Sequence, residues 1–149
     1  MNFLKLLLSW LAATLVTAVA GSIIQTQFNL AAITALGVPV PPALRLQTTL
    51  QDLVGFAPML AAIAGAGLLV ALPVAAWLAR HLQRRTLLYA LAGATAIATA
   101  ILLMNALLPI TAIGATRSLA GFLALAACGA LGGWTFSRLA PRHPGTRGR

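Results

Sequence analysis

Residues 53–85 read LVGFAPMLAAIAGAGLLVALPVAAWLARHLQRR, and this stretch decides the character of the whole chain. No side chain from 53 to 78 is charged. A helix rises about 1.5 Å per residue, so this run is longer than the roughly 30 Å hydrocarbon core of a bilayer. Arg80, His81, Arg84 and Arg85 follow at once. Peptide groups in lipid have no water to bond, so an apolar run of this length must satisfy itself internally, as a helix. Basic residues gathered just beyond such a run are the charges that orient it in a membrane.

Working outward, three further runs repeat the pattern, at 3–24, 87–108 and 119–136. None has a charge in its middle, and none shows the alternating pattern of a barrel strand. The predicted fold is all-α: a polytopic membrane protein with a bundle of four transmembrane helices in residues 1–137. A basic, disordered tail is expected over 138–149, where Pro141, Pro144, Gly145 and Gly148 interrupt any regular structure. Composition agrees. Soluble domains carry about 25% charged residues, whereas this chain has 7%, with 60% hydrophobic residues. Too few polar groups remain to cover a water-facing surface, so the lipid bilayer is the first expected partner.

The charge is distributed unevenly. Lys5, Arg80, Arg84, Arg85, Arg138, Arg142, Arg147 and Arg149 flank one side of the four runs, against only Arg45 and Arg117 on the other. By the positive-inside rule both termini and the 79–86 loop are expected in the cytoplasm. Trp10, Trp77, Tyr89 and Trp134 fall at the same ends of their runs, where a belt of interfacial rings is expected. Nine arginines against one lysine suggest a GC-rich bacterial genome, and for helical spans the expected location is then a bacterial inner membrane. The net charge of +9 flanks spans and forms no basic face on a soluble domain, so no nucleic acid is expected as a partner. The first run also resembles a secretory signal, with Ala18-Val19-Ala20 preceding Gly21. It continues through Ile23 and Ile24, long enough to span, and retention as a first helix is the favoured reading.

Helices in lipid associate by close packing, so small residues at four-residue spacing mark contact faces. Ser9, Ala13, Thr17 and Gly21 form such a ladder in the first run; Ala57, Ala61 and Gly65 form one in the second. The third has Ala90, Ala94 and Ala98, and the fourth Ala120, Ala124, Cys128 and Gly132, with Gly129 and Gly133 on the next ridge. Packing inside one bundle is preferred to homodimerisation through Gly129 and Gly133. Cys128, the single cysteine, is read as a small apolar packer. Pro58 suits a first helical turn, and Pro73 should kink the second helix.

The connection between the first two runs is long and patterned. Asn29 as an N-cap and Gly37 as a stop predict a short interfacial helix between them. Val38-Pro39-Val40-Pro41-Pro42 must be extended, and Ala43 to Gln51 is expected to lead into the second span. Asp52, the only acid, fits three roles in descending order: capping that span, pairing with Arg45 or Arg117, or binding a cation or proton. Gln25 and Gln47, with neighbouring amides and hydroxyls, could form a polar site with it. Asn105, the most polar side chain within a span, is expected to hydrogen-bond a neighbouring helix.

Two histidines, one cysteine and one carboxylate in separate parts of the chain make no metal-ligand cluster, and no nucleophile has a base within reach. No catalytic, metal or cofactor site is expected. The expectation is a non-catalytic accessory or assembly subunit that contacts a membrane-protein partner. The alternative is a homo-oligomeric channel or carrier in which Asp52, Asn105 and Arg117 line the path.

Overall fold

The computed structural model describes residues 3–82, 84–107 and 113–141. It is all-α, with helices α1 (Phe3–Ala35), α2 (Pro42–Gly55), α3 (Ala57–His81), α4 (Arg85–Leu107) and α5 (Leu119–Leu139), and a single 3₁₀ turn at Gly114–Arg117 before α5. Four of these, α1, α3, α4 and α5, are long and apolar enough to cross a membrane. Around the bundle they run in the order α1, α3, α4, α5, each packed on the next, with α5 closing on α1. The pairs α1–α4 and α3–α5 lie across the diagonals and barely meet. This is the up-and-down arrangement that short connections favour. The tail from 142 onward and the end of the third run at 108 lie outside the described residues.

The seam between α4 and α5 is backbone on backbone. A Cβ on Gly93 would overlap the carbonyl of Gly129, one on Gly129 the carbonyl of Gly93, and one on Gly133 the carbonyl of Tyr89. Gly132 meets Ala13 and Thr17 of α1 just as closely. Gly21 faces Leu60 of α3 and Leu125 of α5, and Gly65 faces Trp10 and Thr14. All five glycines of the sequence ladders, Gly21, Gly65, Gly129, Gly132 and Gly133, are therefore buried between helices of one chain. Cys128 is buried beside them. The α3–α4 seam is looser. Gly67 meets Ala96, but Ala66, Ala71, Thr99 and Ala100 line a groove of about 470 Å³ on the outer surface.

The short helix lies elsewhere than its local signals suggested. Nothing between Gly21 and Gly37 breaks α1, and Asn29 sits inside a helix that runs on to Ala35. Gly37 does end it, at φ +85°, a conformation that side chains with a Cβ avoid. The separate helix is instead α2, which begins at Pro42 and stops at Gly55. Pro58, in the first turn of α3, has no N–H to continue the ladder, and Phe56 marks the break. Pro73 lies within α3 on an exposed face.

Only part of the aromatic belt faces outward. Trp77 and Trp134 are exposed, but Trp10 turns inward and donates its indole N–H to the Gly65 carbonyl at 3.2 Å. Tyr89 is buried against Phe136 with ring centroids 5.2 Å apart, under the Arg85 guanidinium. Arg85 also donates to the carbonyls of Ala140 at 2.8 Å and Pro141 at 3.3 Å, supplying the C-terminal end of α5 with donors.

Gly93→Val and Gly129→Val are expected to force α4 and α5 apart and to cost about 1–3 kcal/mol or more. Gly55→Ala, whose Cβ meets nothing within 4 Å, should not lower stability. Midpoints of unfolding in a denaturing detergent would check both.

Candidate functional site

The polar residues gather at the end of the bundle opposite the arginine-rich loop. There α1 presents Gln25, Thr26, Gln27 and Asn29 within little more than one turn. An amide or hydroxyl at that depth is costly unless it is paired, and each of the first three is paired. The buried Gln25 accepts a hydrogen bond through Oε1 from the backbone N–H of Ala115 at 3.0 Å, which fixes the 3₁₀ turn that leads into α5. Asn29 lies against Gly114 of the same turn, where an added Cβ would push its amide oxygen aside. Ser118 then caps α5, accepting from the N–H of Gly121 at 3.1 Å.

On its other side α1 is clasped by α2. Arg45, Thr49 and Asp52 stand at i, i+4 and i+7, one stripe of a helix. Arg45 donates through Nη1 to Gln27 Oε1 at 2.7 Å. Gln27 donates through Nε2 to Thr49 Oγ1 at 3.2 Å, and Thr49 donates back to the Arg45 carbonyl at 2.8 Å. Asp52 accepts from Thr26, with Oγ1 and Oδ2 2.6 Å apart. Thr26 is fully buried, and its hydroxyl also lies 2.9 Å from the Ser22 carbonyl. One hydroxyl hydrogen serves one of these acceptors at a time. The clasp is thus made of hydrogen bonds to a carboxylate and from a guanidinium, the stronger kind.

This settles the position of Asp52 differently from the sequence expectation. It does not cap α3, whose N-cap position is Phe56, without a side-chain bond; its own backbone carbonyl receives the N–H of Phe56. Among the described residues it forms no ion pair: Arg45 is directed to Gln27, and Arg117 is exposed on the 3₁₀ turn. A carboxylate on α2 faces a hydroxyl on α1 because the polar stripe of α2 turns toward that helix, not toward the next loop. Gln47 is exposed on the far side of α2. Asn105 is exposed on α4, which shares no substantial interface with α2. The structure therefore brings together Gln25, Arg45 and Asp52 at the α1 end, and leaves Gln47, Asn105 and Arg117 apart from them.

Reading the sequence alone missed Thr26, and it placed Gln27 and Thr49 only among the amides and hydroxyls that could surround Asp52. Their signal was present: four polar residues between 25 and 29 inside a continuous helix need partners on more than one side. It also missed that Thr14, Ala18, Ser22 and Thr26 form one buried ridge at four-residue spacing. Thr26 bonds on that ridge, whereas the buried hydroxyls of Thr14 and Ser22 have no partner among the described residues. His81 stacks edge-on with Trp77 at 5.4 Å, at the other end of the bundle from Asp52.

Gln25→Leu leaves the buried Ala115 N–H without an acceptor and is expected to cost about 1–3 kcal/mol. A double-mutant cycle of Thr26→Val with Asp52→Ala should return a coupling of about 0.5–2 kcal/mol in detergent unfolding. Strictly additive effects would mean that the contact adds no stability.

No protein-family model matches this chain, and no curated protein or solved structure matches it either. The fold and the helix chemistry alone carry the conclusion that this is a multi-pass membrane protein built on four spanning helices.

Proposed function

We propose that this chain is a non-catalytic accessory or assembly subunit of a larger membrane complex, held in a bacterial inner membrane with both termini cytoplasmic. The orientation is supported by the basic residues, eight of which flank one side of the spans and two the other. The partner reading is carried by the tip of the α1–α2 hairpin. Beyond the Thr26 level α1 continues for roughly 13 Å, past the starts of α3 and α5, and then returns through the proline-rich linker. From 30 to 44 the only polar side chain is Thr34, whose hydroxyl is spent on the Leu30 carbonyl at 2.9 Å. Residues 31–39 are exposed without exception, with Leu36 at 83%. An apolar projection with no cover of its own is the kind of surface that a protein partner buries. The ladder glycines Gly21, Gly65, Gly129, Gly132 and Gly133 are taken up inside the bundle, so the reading is carried by the hairpin tip and not by them. The channel or carrier alternative calls for Asp52 and Asn105 on one path, and their separation on α2 and α4 lends it no support.

Native mass spectrometry of the protein extracted from its own membranes tests the reading. A second protein retained in fixed ratio is the expected result. Ile33→Lys and Leu36→Lys should release that protein while leaving the unfolding midpoint unchanged, since both side chains are exposed. A homo-oligomer with no second protein would overturn the proposal.

A further inference from the structure

Helix α2 has three faces, and their order is the reverse of that expected for a loop helix in water. Its charged stripe, Arg45, Thr49 and Asp52, turns inward onto α1. About 120° around the helix, Leu46, Leu50 and Val54 form a second stripe at four-residue spacing, exposed by 63%, 55% and 80%. Gln47, seven residues before Val54, lies beside it at the edge of that stripe, and Gln51 lies further round toward the clasp; both are exposed. No residue of α2 is buried on the apolar side. The exposed Thr48 also satisfies its hydroxyl within the helix, on the Leu44 carbonyl at 2.9 Å. At the helix start Pro41 and Pro42 remove two donors that would otherwise seek water.

We infer that α2 lies along the boundary between acyl chains and headgroups, with Leu46 and Leu50 in the acyl layer, Val54 and Gln47 at its edge and Gln51 toward water. The occupant of the apolar face is lipid, and two observations select it. The clasp ties α2 to α1 at Thr26 and Gln27, the level at which α3 and α5 begin, so the helix sits where the spanning segments leave the apolar layer. Val54 and Gly55 at the end of α2 and Pro58 and Met59 at the start of α3 are also exposed alike, while Phe56 between them packs on the core. An amphipathic helix with this division of faces lies in the interface plane. Leu44 departs from the pattern, being exposed near the amide side, and it adjoins the apolar tip of the hairpin. The inference concerns lipid contact alone and does not depend on the proposed protein partner.

Site-directed spin labelling separates the faces. In a Cys128→Ala background, single cysteines at 46, 47, 50, 51 and 54 would be labelled and the protein placed in phosphatidylcholine–phosphatidylglycerol vesicles. Collision with oxygen reports the acyl layer, and collision with a neutral nickel chelate reports water. Labels at 46 and 50 are expected to favour oxygen by several-fold over a label at 51, approaching the ratio of a label at the exposed Leu91 of α4, with 47 and 54 alike and between the two. Five sites equally open to nickel would place α2 in water and overturn the inference. Five sites closed to both reagents would mean that protein covers the face, and would overturn it equally. Every labelled position on α2 is exposed, so loss of fold does not confound the pattern.

Discussion

Lipid gives two helices no hydrophobic reward for coming together, because the tails they leave are as apolar as the side chains they meet. Association then depends on how closely backbones approach, and in this bundle the approach is closest where Gly93 of α4 lies against Gly129 and Gly133 of α5. Gly132 continues the same closeness toward Ala13 and Thr17 of α1. α5 is therefore the helix that gathers its two neighbours, with glycines presented to both sides. Tyr89 and Phe136 can stack at the arginine-rich end only because the glycines one turn away have already brought α4 and α5 together. The turn before α5 can likewise reach Gln25 because α1 and α5 are held at that spacing. Contacts that look local depend on one close seam.

α1 carries most of the polar packing. Ser9, Thr14, Thr17, Ser22, Gln25 and Thr26 are buried on it. Several return their hydroxyls to the carbonyl four residues earlier, as Ser9 does to Lys5 and Thr17 to Ala13. Such side chains cost little room and let neighbours approach. Toward the far end the same helix changes role, and its longer amides and Thr26 reach outward to fix α2 and the 3₁₀ turn. A helix of 33 residues is long enough to serve as a packing surface within the bilayer and as a support beyond it.

The spans could be read from the sequence because two quantities suffice: the apolar length of a run and the thickness of a bilayer. Gly37 could be read because positive φ is a property of one residue. The rest required knowing which surfaces meet. Asn29 carries a cap signal, but a polar residue breaks a helix only if its backbone is better satisfied outside it, and the 3₁₀ turn gives Asn29 a place inside. Trp10 and Tyr89 were assigned to the interface by depth alone. Depth does not say which way a ring faces, and both face the bundle. Asp52 and Thr26 stand 26 positions apart, and their meeting depends on how α2 folds back, which no local pattern records. The alanine-rich runs offered several small-residue ridges per helix, so the pairing of ridges was open until the helices were placed.

The two ends of the bundle satisfy their helix termini in different ways, and the difference bears on what each can touch. At the arginine-rich end the donors are long charged side chains. Arg85 serves the Ala140 and Pro141 carbonyls, and Arg138 lies 5.1 Å from the Trp134 ring centroid. Groups of that kind remain favourable only beside water or phosphate headgroups. At the opposite end the termini are closed from within: Ser118 caps α5, Gln25 takes the Ala115 N–H, and prolines at the starts of α2 and α3 remove donors altogether. Even the single carboxylate is engaged by a hydroxyl from the same chain. The exposed Arg117, Gln47 and Gln51 still face water there, but the apolar tip at 31–39 carries no charge, and its one hydroxyl, that of Thr34, is already bonded. A partner that covers the tip and leaves those three side chains open strands few polar groups, whereas one that covers the arginine-rich end must desolvate several charges.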